Sequence, residues 1–97
     1  MSEAGAAPDV GPVLEANEAG RAVAAAIQRS NAGARVQDRG AYLRVSVPGK
    51  CVVTRSAIEA ALGRSLDWPT GLELVMPAFQ GLLSLDDERA EWRLDGR

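Results

Sequence analysis

The chain offers few groups that could do covalent chemistry. It has one cysteine, Cys51, and no histidine among its 97 residues. The usual general base near neutral pH and the commonest metal ligand are therefore missing. A nucleophilic thiol needs a neighbouring base, a cation or a helix N-terminus to lower its pKa. Cys51 instead sits in the apolar run Cys51-Val52-Val53, just before a predicted helix, and reads as a small buried hydrophobe. Asp86, Asp87, Glu88 and Glu91 gather carboxylates without the spacing of a calcium loop, as a solvated hairpin tip would. No zinc-ligand spacing, Walker loop or GxGxxG is present. Arg35, Arg39, Arg44 and Arg55, with Tyr42, could follow a nucleic-acid backbone. The acidic pI near 5.0 and the lack of an aromatic pair on neighbouring strands argue against that. So sparse an inventory points to a protein that acts by binding.

The length suits one domain, large enough for a single core without disulfides or metals. Hydrophobic residues make up 46% and charged residues 25%, as in ordinary soluble proteins. With four aromatics, Tyr42, Trp68, Phe79 and Trp92, the core must be mostly aliphatic, and both tryptophans read as core pieces. Met1–Asp9 lacks the basic start and apolar run of a signal peptide, and no stretch is long and apolar enough to cross a bilayer. A cytoplasmic location is expected. The net charge of −2 is partitioned: residues 1–20 carry −4, residues 21–64 carry +6 and residues 65–97 carry −4. Mutual neutralisation within the fold is the expected use of this pattern, with a docking dipole as the alternative.

Residues 36–63 hold the strongest structural signal. Val36–Asp38 and Ala41–Val47 flank a tight turn at Arg39-Gly40, and Leu43, Val45 and Val47 alternate with Tyr42, Arg44 and Ser46. Pro48-Gly49 suits a type II turn returning into Cys51–Val53 as a paired strand. Thr54 or Ser56 starts a helix, Ser56 with Glu59 fits a capping box, Ile58, Ala61 and Leu62 form its buried stripe, and Gly63 ends it. Upstream, Met1–Asp9 reads as a mobile tail and residues 10–97 as the folded domain. Val10–Leu14 is expected as an edge strand because Pro12 cannot donate to a ladder. Asn17 is the expected N-cap of a helix with Ala19, Val23, Ala26, Ile27 and Ser30 along one stripe, with Asn31 and Gly33 as its left-handed stop. Downstream, Asp67 is a candidate cap for a short turn through Trp68–Gly71. Leu72–Met76, Phe79–Leu85 and Arg89–Leu94 are expected as strands, the last two joined by Asp86-Asp87-Glu88.

One segment needs its own explanation. Met76-Pro77-Ala78-Phe79-Gln80-Gly81 breaks an apolar run with a proline and sets an aromatic residue near a glycine. A kink or bulge between strands explains it equally well as a surface built for contact.

Taken together, Val10-Gly11-Pro12-Val13, Asp38–Val45, Thr54-Arg55 leading to Ile58-Glu59, Leu62-Gly63-Arg64, and Leu72-Glu73-Leu74 leading to Phe79-Gln80-Gly81 resemble a family. In order and spacing they are similar to the small effector, or coupling, proteins of soluble diiron monooxygenases, the MmoB/DmpM-like proteins. The length and motifs resemble the toluene and alkene or isoprene monooxygenase branch. The resemblance implies an α+β fold, a two-part sandwich of short strands with two main helices. It implies a non-enzymatic subunit without a cofactor, which binds a hydroxylase holding a diiron centre. Such a subunit reshapes the active site and couples NADH-derived electrons and O2 activation to hydrocarbon hydroxylation or epoxidation, in competition with a Rieske ferredoxin or reductase. The segment corresponding to Met76, Pro77, Ala78, Phe79, Gln80 and Gly81 would face the hydroxylase. Relatives often have serine or another small polar residue where Pro77 and Ala78 stand. The rival readings are a free-standing αβ ligand-binding or RNA-binding domain and a small thiol enzyme using Cys51. Binding to nucleic acid or a membrane is not expected.

Overall fold

The computed structural model describes residues 8–94. Seven strands and three helices follow in the order β1 (Asp9–Glu15), α1 (Glu18–Ser30), β2 (Arg35–Asp38), β3 (Tyr42–Pro48), β4 (Lys50–Thr54), α2 (Arg55–Leu62), α3 (Thr70–Leu74), β5 (Ala78–Gln80), β6 (Leu82–Leu85) and β7 (Arg89–Arg93). The strands form two antiparallel sheets, one ordered β2-β3-β1-β5 and the other β4-β7-β6. This is the expected α+β two-sheet architecture. The tail reading for Met1–Ala7 falls outside the described residues, while Asp9 already belongs to β1.

The register places Leu43 opposite Leu14 and Val47 opposite Val10, so one face of the larger sheet is aliphatic. That face lies against α1, whose Ala22, Val23, Ala24, Ala26 and Ile27 are buried. The short alanine side chains let the helix axis approach the sheet closely, and Val23 and Ile27 fill the space between. α1 also packs on α2 and β4, so its buried surface is wider than the expected stripe, and Ser30 is exposed. Trp92, Leu14, Ile27, Ile58 and Leu72 are the largest fully buried side chains. Asn17 caps α1 by accepting from the Gly20 N–H at 2.8 Å, as expected.

Several elements differ from the sequence expectation. β1 is an interior strand rather than an edge, flanked by β3 and β5. Pro12 is tolerated there because the ladder to β3 lapses at Gly11 and Pro12, where no donor is needed. β4 does not pair with β3. Pro48-Gly49 turns a corner between sheets, and β4 pairs with β7 instead, Cys51 lying opposite Trp92. The cap of α2 is Thr54, whose hydroxyl accepts from the Ala57 N–H at 3.1 Å. Ser56 lies inside the helix, Glu59 turns to Arg55 and the Leu66 N–H, and Ala61 is exposed. Leu72–Met76 is not a strand, because its first half is α3. Leu72 enters the core while Leu74 is 73% exposed, a split that a five-residue run cannot reveal. Finally, Phe79–Leu85 is divided at Gly81 into β5 and β6, which belong to different sheets.

Candidate functional site

The segment singled out by sequence runs along β1 as an outer strap. The Glu15 N–H donates to the Val75 carbonyl at 2.8 Å. Ala78, Phe79 and Gln80 then pair with Val13, Pro12 and Gly11. Pairing on one side only leaves β5 as an edge of the larger sheet. Gly81 has φ +100, and a Cβ there would stand 2.7 Å from the Arg93 carbonyl oxygen and 2.9 Å from the Val10 side chain. Only glycine lets the chain pass this point and cross from one sheet to the other.

The six candidate residues do not share one environment. Met76 is buried, only 9% exposed, and belongs to the core, so its side chain is not a surface contact in this fold. Pro77, Ala78, Phe79, Gln80 and Gly81 are all exposed. Phe79 is 45% exposed, and two more apolar side chains flank the strap in sequence, Leu74 at the end of α3 and Leu82 at the start of β6. Leu74 and Leu82 escaped sequence reading because both were assigned to strands with one face buried.

The other chemically notable residues are placed as follows. Cys51 is fully buried, and burial pushes its thiol up to about 12, so a reactive thiolate is not available near neutral pH. Asp86 closes the β6–β7 hairpin by accepting from the Glu88 and Arg89 N–H groups at 2.9 and 2.8 Å, which holds its carboxyl below the usual range. No cluster of three or more metal-ligating side chains occurs among the described residues. Trp92 is in the core, whereas Trp68 is half-buried and its indole N–H donates to the Asp86 carbonyl at 2.7 Å.

The four arginines do not form one basic stripe. Arg55 opens α2 and is paired with Glu59 at 3.0 Å, while Arg35 pairs with Asp9. The charged blocks of the sequence meet in space: Arg35–Asp9, Arg64–Glu18 and Lys50–Glu91 each join the basic middle to an acidic end. Much of the charge partition is therefore internal neutralisation, as expected. Arg44 is different. It projects from the face of the larger sheet opposite α1 and has no ion-pair partner among the described residues.

The two-sheet scaffold thus carries an exposed edge strap, and its single thiol is buried. Residues 8–93 match the MmoB/DmpM family, and the chain belongs to that family. It is 38% identical over 85 residues to the effector subunit of the alkene monooxygenase system of Xanthobacter autotrophicus (strain ATCC BAA-1158 / Py2), covering 86% of this chain and 83% of that protein. The fold is similar to a chain in a structure of a phenol hydroxylase–regulatory protein complex, with TM-score 0.77 and 23% identity over 90% of this chain and 98% of that one. A second structure of such a complex matches with TM-score 0.72 and 25% identity, covering 88% and 98%.

Proposed function

We propose that this protein is the effector subunit of a multicomponent monooxygenase, binding a diiron hydroxylase and coupling its electron use to substrate oxidation. The observation that carries this reading is kinship along almost the whole folded chain with an alkene monooxygenase effector subunit. The fit of the site to the role is physical. An effector needs a shaped surface with different affinities for two states of its partner, and it shifts the partner's equilibrium only by that difference. A two-sheet scaffold carrying an exposed strap, with its one thiol buried, meets that need. The strap from Pro77 to Gly81, with the half-exposed Phe79 ring at its centre, is the proposed hydroxylase contact. Seating it over the partner's pocket would limit water entry and favour hydroxylation or epoxidation over release of peroxide.

In this reading the diiron centre belongs to the hydroxylase, and NADH-derived electrons reach it from a Rieske ferredoxin or reductase that competes with this protein for an overlapping surface. The test is a titration of the reconstituted hydroxylase, ferredoxin and reductase with this protein. Product formed per NADH should rise to an optimum near one effector per active site, then fall with excess. A ratio that stays flat across the titration overturns the proposal.

A further inference from the structure

The face of the larger sheet that looks away from α1 carries a polar groove of about 460 Å³, lined by Asp9, Arg35, Gln37, Arg44, Ser46 and Gln80. The register explains the grouping. Gln37, Arg44, Val13 and Ala78 are successive cross-strand partners from β2 to β5, so they form one row across the sheet. Arg35 pairs with Ser46, and Gln80 pairs with Gly11, which adds no side chain to fill the space between them. The lining is rich in donors: two guanidinium groups, two carboxamides and a hydroxyl. Its charge is unbalanced, because Asp9 neutralises Arg35 and no described acid meets Arg44.

We infer that this groove is an anchoring site for an acidic side chain of the hydroxylase, with Arg44 as the residue that receives the carboxylate. The inference rests on the effector reading and extends its contact from the strap onto the open sheet face. Charge complementarity selects the occupant: a planar guanidinium beside the Gln37 carboxamide, with Gln80 lining the same groove two strands away, matches a carboxylate. Asp9 on Arg35 already displays the same recognition inside the groove. Continuity selects the partner, since Gln80 belongs both to the groove wall and to the strap. Phe79 points to the opposite face of this edge strand, so a hydroxylase that wraps the β5 edge reaches both the ring and the groove.

The chain contains a single lysine, Lys50, so peptide mapping of a carbodiimide-coupled complex can tell an amide at position 44 from coupling through Lys50, the α-amine or this chain's own carboxylates. An Arg44→Lys variant mixed with the reconstituted hydroxylase and treated with carbodiimide should give an amide cross-link between position 44 and a hydroxylase Asp or Glu. In parallel, Arg44→Gln should weaken hydroxylase binding by at least about 30-fold and flatten its salt dependence. Arg39→Gln, in the exposed β2–β3 turn, should bind like wild type. If Arg44→Gln retains wild-type affinity, or if Arg44→Lys binds but cross-links only through Lys50, the groove assignment is wrong while the effector reading stands. If wild type fails to bind the hydroxylase at all, both fall together.

Discussion

The side-chain amide of Asn31 pairs with the backbone of Val52, donating to its carbonyl at 2.8 Å and accepting from its N–H at 3.0 Å. The same amide also donates to the Ile27 carbonyl at 2.9 Å, which accepts the Asn31 backbone N–H at 3.0 Å as well, in the last turn of α1. One residue thus closes a helix and supplies the ladder that the free edge of β4 lacks. It ties the helix of the first layer to the second sheet, and it protects an edge strand from pairing elsewhere.

Replacing Asn31 with alanine should cost about 1–3 kcal/mol, because the half-buried backbone groups of Val52 lose their partner while the alanine gains nothing. Asn31→Asp should be no better: it keeps an acceptor for the Val52 N–H but sets a carboxylate against two carbonyl oxygens. Urea unfolding measures the cost. Amide exchange at Val52 should accelerate in both variants, and exchange as slow as wild type would show that the pairing does not protect this edge.

Asn31 also shows where sequence reading stops. Its position after an alanine-rich helix announces a helix end, and α1 does end there, but with Asn31 extended at φ −133 rather than left-handed. Its second role depends on a strand 21 residues away, which no local pattern encodes. The same division recurs along the chain. The alternation in β3, the glycine after α2 and the Asn17 cap are local signals, and each is realised. Pro48-Gly49 announces a change of direction without saying into which sheet β4 goes. Gly81 looks like flexibility until Val10 and the Arg93 carbonyl close in on it. The outward set of Arg44 and Ser46 is visible in the alternation, but the groove requires knowing that β1 and β5 lie alongside.

Cys51 packs opposite Trp92 in the second sheet with its thiol fully buried. Cys51→Ser should lower stability by about 1–2 kcal/mol through a buried hydroxyl, while product per NADH stays at the wild-type value for the folded protein. Alkylating reagents should leave native Cys51 unmodified at neutral pH and reach it only after unfolding. Rapid labelling of the native thiol would contradict its placement in the core.

Acid should unfold the protein through its carboxylates. The Leu66 N–H and then Arg55 hold the Glu59 carboxyl below the usual range, and backbone N–H groups do the same for Asp86 and Asp38. A depressed folded-state pKa stabilises above the unfolded value and is lost as pH falls through the folded one. With no histidine in the chain, melting temperature should stay nearly level from about pH 6 to 8 and drop as pH falls below about 4. Glu59→Gln should lower the plateau slightly and reduce the acid slope. A steep change in melting temperature near pH 6.5 would mean that a group other than these controls stability.

At Gly81, added bulk meets backbone on one side and Val10 on the other. Gly81→Ala should therefore destabilise by more than about 1 kcal/mol, since alanine is strained at φ +100 even without the collision. Stability and coupling should fall together, because the strap and the crossing between sheets share this residue. A normal melting temperature in Gly81→Ala would show that the strap detaches at little cost.

Met76 and Phe79 separate fold from function within the strap. Met76 is buried beneath it, so Met76→Ala should cost about 2–5 kcal/mol and lower activity only in proportion to the unfolded fraction. Phe79 keeps nearly half of its surface in solvent, so Phe79→Ala should cost about 1 kcal/mol or less. Its effect on the reconstituted monooxygenase should be far larger: weaker hydroxylase binding and less product per NADH. Gln80→Ala should resemble Phe79→Ala in keeping its fold and losing coupling, since its side chain lies on the groove face. The decisive comparison plots coupling against melting temperature for the three variants. If Phe79→Ala and Gln80→Ala fall on the line set by Met76→Ala, the strap is only part of the fold. If they fall below it, coupling is lost at nearly unchanged stability, and the exposed side of the strap is the working surface.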